Sequence, residues 1–224
     1  MKRFLRDNSL SLFFFALFLL ALFGQSIAGF HLYNQDAMKH QEPTIAYFRY
    51  LVTSSFGADT LENWQSEWLQ FWLFALATVW FIQKGSNESK KPGEAGLEDD
   101  KQQRVGEHAP QNAPRWAKAR DWRLNVYSHS FTIVMGTIFL ATWLAQSVAS
   151  WTVFNDDQTA HDEAPVSWLS YMISADFWER SLQNWQSEFL AVGTMVVFTI
   201  YLRERGSPES KPVGTPHEET ASSG

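Results

Sequence analysis

Glu67 and Glu188 are the residues best placed to do chemistry, because each closes the same five-residue string. Asn63-Trp64-Gln65-Ser66-Glu67 recurs letter for letter as Asn184-Trp185-Gln186-Ser187-Glu188, an offset of 121 residues. On a helix, Asn63, Ser66, Glu67 and Gln70 share one face. The same offset carries Gln25-Ser26 onto Gln146-Ser147, so two further amide and hydroxyl pairs are expected at a similar depth. A carboxylate among amides and hydroxyls inside an apolar bundle can hold a proton or a small cation, and the two glutamates are expected to face one another and share a proton. The same side chains can equally be hydrogen-bond glue between helices, with the carboxylates favoured by a helix start. The candidate polar site is therefore Gln25, Ser26, Asn63, Gln65, Ser66, Glu67, Gln146, Ser147, Asn184, Gln186, Ser187 and Glu188.

A second recurring pattern is Asn34, Asp36, His40, Glu42 and its counterpart Asn155, Asp157, His161, Glu163. One imidazole with two carboxylates suits a divalent first-row metal, which makes Asp36, His40, Glu42, Asp157, His161 and Glu163 a candidate ligand set. Polar loop residues also cap turns, so the pattern has a purely structural reading as well. No other cofactor is expected, and no catalytic residue: there is no phosphate-binding glycine loop, no His-Glu-x-x-His and no nucleophile elbow. With no Cys, thiolate chemistry and disulfides are excluded. A net charge of −6 argues against nucleic-acid binding.

These residues need elements to hold them, and the chain supplies one unit written twice. The mean hydropathy of −0.24 hides strong segregation. Asn8 to Phe30 and Ser130 to Phe154 contain no charged residue or His. Each run is long enough to cross a hydrocarbon core of roughly 30 Å. The first run could pass for a secretory signal, but its mid-chain counterpart cannot, so both are expected to be retained spans. Trp68 to Gln83 and Phe189 to Leu202 are shorter uncharged runs. They reach membrane length only if the Asn-Trp-Gln-Ser-Glu turns before them are drawn in. Asp59 with Glu62 has capping-box spacing and predicts a helix start near Leu61.

Lys2, Arg3 and Arg6 precede the first span, nine basic residues lie between Lys84 and Arg123, and Arg203, Arg205 and Lys211 follow the last. Of the 18 basic residues only Lys39, Arg49 and Arg180 fall elsewhere. The positive-inside rule then puts both termini and the central linker in the cytoplasm. Each copy crosses twice, so the copies share one orientation. The fold class expected is an all-α integral membrane protein: four transmembrane helices as two parallel two-helix repeats, residues 1–91 and 123–212, plus short outer amphipathic helices. Ile45, Phe48, Leu51, Val52 and Phe56, echoed by Val166, Leu169, Met172, Ile173 and Phe177, predict those short helices. The outer pieces before them, residues 34–42 and 155–163, read as irregular. Residues 92–122 and 213–224 read as a disordered linker and tail.

The strings Gly24-Gln25-Ser26, Tyr33-Asn34, Glu62 to Glu67 and Arg203-Glu204-Arg205-Gly206-Ser207-Pro208-Glu209-Ser210-Lys211 resemble an uncharacterised bacterial membrane-protein family, domain of unknown function 6766. The resemblance implies a multi-pass protein of the bacterial cytoplasmic (inner) membrane and supplies no activity. The function expected is that of a non-enzymatic structural or partner-binding membrane component, in contact with the lipid bilayer and with a second copy or another membrane protein. The alternative is a small proton- or cation-responsive transporter, channel or sensor.

Overall fold

The computed structural model describes residues 2–221, with the side chain of Lys2 left out. The last three residues of the expected tail, 222–224, lie outside the described residues. The described chain is all helical and has no strand. Eight α-helices follow in order: α1 (Lys2–Asp7), α2 (Ser9–Lys39), α3 (Tyr47–Tyr50), α4 (Ser54–Trp80), α5 (Trp122–Ser128), α6 (Ser130–Ala160), α7 (Trp168–Met172) and α8 (Ala175–Tyr201). Between α4 and α5 lie turns and two 3-10 helices, Gly106–His108 and Arg115–Lys118.

Helices α2 and α6 each have 31 residues, and α4 and α8 each have 27. Within each pair the two helices start 121 residues apart, which is the offset of the repeated strings. Two helices among the described residues, α2 and α6, are long and apolar enough to cross a membrane. Hardly any of the apolar window of α2 is buried.

The chain divides into two compact units, one holding the chain to Thr60 with Ala149–Pro165, the other Leu61–Val148 with the chain from Val166. In the first, Tyr50 is the buried centre, packed on Phe30, Tyr33 and Phe56 with ring centroids 6.1, 5.7 and 5.4 Å away. It reaches that position because Gly29 has no Cβ to meet its hydroxyl. In the second unit four of the tryptophans form a continuous column with Phe139 and Phe177. Trp72 stacks on Phe139 at 5.8 Å, Phe139 on Trp143 at 5.9 Å, and Trp143 meets Trp185, Trp178 and Phe177 at 5.9, 6.0 and 5.6 Å. Each such pair adds roughly 0.5–1.5 kcal/mol beyond the area it buries. That column is the core of the second unit and the place of much of the chain's aromatic excess.

Three expectations about boundaries are corrected. The polar stretches after Phe30 and Phe154 are helical rather than irregular, since α2 runs to Lys39 and α6 to Ala160. Asn34 does not break the helix, because its carboxamide turns outward and bonds both backbone groups of Ile45, at 2.9 and 3.0 Å. The helix predicted to start near Leu61 starts at Ser54 instead. Its cap is Thr53, whose Oγ1 accepts the Phe56 N–H at 3.3 Å, and Ser174 caps α8 through Phe177 at the same 3.3 Å. The short amphipathic helices are consequently only α3 and α7. Phe56 and Phe177, counted with them, belong to α4 and α8.

Gly136 makes the packing of α6 on the column testable. A Cβ there would lie 2.8 Å from Nε1 of Trp72, whereas one at Gly24 meets nothing within 4 Å. Gly136→Val is expected to destabilise the chain by about 1–3 kcal/mol. Gly24→Ala is expected to be neutral or to stabilise by up to about 1 kcal/mol. Thermal unfolding of the purified variants checks both, and a tolerated Gly136→Val would contradict the packing.

Candidate functional site

Helices α4 and α8 meet in the second unit through their motif turns. The Asn184 amide donates to Glu62 Oε1 at 3.0 Å, and the Trp185 indole N–H donates to Gln65 Oε1 at 2.9 Å. Ser66 Oγ donates to Glu188 Oε1 at 3.3 Å, and Gln70 Nε2 donates to the Glu188 carbonyl at 3.4 Å. Arg180 stands 3.7 Å from Glu62 and also pairs with Asp176, one turn back on its own helix. The partners differ by a nearly constant number of residues, between 118 and 122, which is the signature of two helices lying side by side, parallel and in register. The two copies of the motif thus face each other.

They do so with different side chains. On α4 the stripe turned to the partner is Glu62, Gln65, Ser66, Leu69 and Gln70, spaced i, i+3, i+4, i+7, i+8. Gln65, Ser66 and Leu69 are buried on it, while Asn63 and Glu67 are exposed. On α8 the stripe is Phe177, Ser181, Asn184, Trp185 and Glu188, and Gln186 and Ser187 point outward and are exposed. The expected inner face of Asn63, Ser66, Glu67 and Gln70 is therefore half right, since Ser66 and Gln70 are on it and Asn63 and Glu67 are not. Glu67 is exposed, and its charge lies close enough to that of Glu188 to interact. Glu62, which lies just before the repeated string, is bonded instead.

Ser26 and Ser147 have one job in both copies. Each is buried and donates to the carbonyl three residues back, Phe23 at 2.8 Å and Leu144 at 2.7 Å. Ser26 Oγ then accepts the Tyr47 hydroxyl proton at 2.7 Å, and Ser147 Oγ accepts the Trp168 indole N–H at 3.1 Å. The short helices α3 and α7 are held to α2 and α6 in this way. The neighbouring glutamines diverge, with Gln25 exposed and Gln146 wholly buried.

The loop pattern does not converge on a metal geometry. Among the described residues no group of three His, Asp or Glu side chains could hold an ion. Instead His40 Nδ1 lies 3.0 Å from the Asp36 carbonyl oxygen, and His161 Nδ1 lies 2.9 Å from that of Asp157. The N–H groups of Glu42 and Glu163 close the same turn onto Ala37 and Gln158, both at 2.8 Å. Gln41 and Asp162 take the left-handed conformation that this helix ending needs, each at φ 58°.

A site that residue-type reasoning left aside lies at the other helix ends. Gly85-Ser86-Asn87-Glu88-Ser89-Lys90 and Gly206-Ser207-Pro208-Glu209-Ser210-Lys211 fold into the same loop. Ser89 and Ser210 each accept a backbone N–H six residues back, at 2.9 Å, and donate to the next carbonyl. Ser86 and Ser207 each accept the N–H two residues on. Lys211 is fully buried, its ammonium donating to the carbonyls of Gly85, Pro216, His217 and Glu219 at 2.7 to 3.1 Å. Residues 213–221, expected to be loose, are wrapped around that ammonium, because four carbonyls and a buried charge satisfy one another only if the chain folds back. Gly85, at φ 89°, is required there, since a Cβ would lie 2.5 Å from the His217 carbonyl oxygen. Lys90 makes the looser version, bonding the Gly96 carbonyl and Glu98, both at 2.9 Å. A cavity of about 760 Å³ opens beside it, lined by Val79, Leu97, Leu124, Arg120 and His129 among others.

The family model of the Domain of unknown function (DUF6766) matches residues 1–222, and the chain belongs to that family. No curated protein and no solved structure matches it.

The pH dependence of the turn at His161 follows from its geometry. The Asp157 carbonyl, then the Asp157 carboxylate 3.6 Å away, raise the pKa of this exposed imidazole above the usual 6.5. The folded value exceeds the unfolded one, so the contribution to stability is full below the unfolded pKa and is lost as pH rises through the folded one. An NMR titration is expected to place His161 above 6.5, and Asp157→Ala to lower it. A midpoint at or below that value in the unaltered chain would contradict the geometry.

Proposed function

We propose that this member of the family is a multi-pass membrane protein of four spans, α2, α4, α6 and α8, arranged as two same-orientation repeats, with both termini and the linker in the cytoplasm. Matched helix lengths support the four-span reading. At about 1.5 Å per residue, 27 residues cover about 40 Å, so α4 and α8 are long enough although less apolar than α2 and α6. The distribution of Lys and Arg supports the orientation. Family resemblance points to a bacterial inner membrane.

Its role in this reading is structural or partner-binding and not enzymatic. The observation that carries it is the hydrogen bonding of the motif. Of the repeated strings, Gln65, Ser66, Asn184, Trp185 and Glu188 are engaged in bonds across α4 and α8, Asn184 with Glu62. Side chains held that way join helices, and they are not arranged to bind and release a substrate. The bare apolar surface of α2 offers lipid, a second copy or another membrane protein a place to pack. One observation favours a proton- or cation-responsive conduit, namely the exposed Glu67 close to the charge of Glu188.

Topology and role are tested separately. A cytoplasm-active reporter fused near Gly96 or after Gly224 is expected to give signal, and one near Gln41 is expected to be silent; activity at Gln41 would overturn the orientation. For the role, the absence of Cys allows single thiols to be placed at positions 65, 66 and 188. They are expected to resist small charged thiol reagents, and purified protein in liposomes is expected to pass neither protons nor monovalent cations. Labelling at those positions together with flux would establish the conduit instead.

A further inference from the structure

Among the described residues of the second unit, Asn87 and Arg203 each leave one buried polar atom unanswered, and Gln146 leaves both ends of its carboxamide so. Gln146 is fully buried, and neither its Nε2 nor its Oε1 has a hydrogen-bond partner among the described protein groups. Most buried polar side chains in folded proteins are bonded. Leaving a buried donor or acceptor bare is costly, and here both ends of one amide are bare.

Its surroundings follow from helix register. Helix α6 presents Phe139, Trp143 and Gln146 on one face, at i, i+4 and i+7. Trp143 contacts Trp185 and Trp178 and donates its indole N–H to Ser181 Oγ at 3.3 Å, while Phe139, one turn back, meets Trp185. Moving forward along α6 thus means moving back along α8, so the two helices are antiparallel. Helix α4 is parallel to α8 and therefore antiparallel to α6. Trp143 reaches Ser181, and Gln146 stands three residues farther along the same face of α6, about 5 Å outward. Gln65, bonded by Trp185, sits deeper on the parallel pair, about 6 Å farther in than Ser181. Gln65, Gln146 and Ser181 are each wholly buried, on α4, α6 and α8 respectively. Gln65 takes the Trp185 indole N–H and donates to the Glu62 carbonyl at 3.1 Å, and Ser181 takes that of Trp143.

We infer that the buried face of α6 beyond Trp143 is a binding site for a small neutral hydrogen-bonding guest, and that the guest is water held by the Gln146 carboxamide between α6 and α8. Neither Gln146 nor Ser181 carries a charge, so an ion gains no counter-charge from them. The amide offers both a donor and an acceptor, which one water or a pair of waters can answer together, with the Ser181 hydroxyl as the further polar group on that side. The site lies at the outer end of the aromatic column. It is separate from the bonds by which the motif joins α4 to α8, and it does not depend on the number of spans.

Two measurements on the full chain decide it. Gln146→Leu has about the same volume and removes the amide. If the amide holds water, the substitution strands that water, and the melting temperature is expected to fall by about 2–8 °C. If the amide is dry and bare, the same substitution removes a penalty and the melting temperature rises or stays level, which would overturn the inference. Gln25→Leu, at the exposed equivalent position, is the control expected to leave melting unchanged. The second measurement needs no folded variant. In the unaltered chain with 15N-labelled glutamine, the side-chain NH2 of Gln146 is expected to show a direct magnetisation transfer from water typical of a long-lived internal site, and its absence would also overturn the site.

Discussion

Two parallel helices can lie in register only if what one presents is answered at the same height by the other, and that constraint organises the second unit. Helices α4 and α8 meet it with an amide to a carboxylate, an indole to an amide, and a hydroxyl to a carboxylate, all within about two turns. Each bond is worth little by itself; inside an apolar bundle, interhelical hydrogen bonds average about 0.6 kcal/mol. Their value is in register. A slip of one residue turns Gln65 and Ser66 away from the partner, and every one of those polar groups is then buried without an answer.

The column of rings explains why the register matters. Trp72, Phe139, Trp143, Trp178 and Trp185 come from α4, α6 and α8, and each touches the next. Rings stack only when the helices that carry them are at fixed heights. Two of the indoles also reach out of the column, to Gln65 and Ser181. Packing and hydrogen bonding are thus carried by the same side chains. Beyond the helix ends the serine loops bond the N–H groups of Gln83 and Glu204, and the buried Lys211 ammonium bonds carbonyls of the surrounding loops.

Much of this was legible in the chain. The offset of 121 residues anticipated two pairs of equal helices, and the uncharged runs located α2 and α6. The recurrence of Gly85 to Lys90 at Gly206 to Lys211 was visible too, but composition made the region after it read as loose. What closes it is a single buried Lys surrounded by carbonyls, and carbonyls have no sequence signature. Boundaries were misplaced where a polar side chain bonds across space: Asn34 looks like a helix breaker until its bonds to Ile45 are seen. The inner face of the motif was misjudged for a related reason. Spacing groups Asn63 with Ser66 and Glu67, yet only the position of α8 determines that Glu62, Gln65 and Ser66 face inward. The divergence of Gln25 and Gln146 is likewise invisible in two identical letters.

The account rests on the claim that the motif joins α4 to α8, and a double-mutant cycle on Glu62 and Asn184 addresses it most directly. Unfolding free energies would be measured for Glu62→Ala, Asn184→Ala and the double variant. If the amide donates to the carboxylate across the two helices, the double variant loses less than the two single losses combined, with a coupling of about 0.5–1.5 kcal/mol. Losses that add to within about 0.3 kcal/mol would mean that the two side chains do not interact, and the in-register pairing of the repeated motif would fall with them.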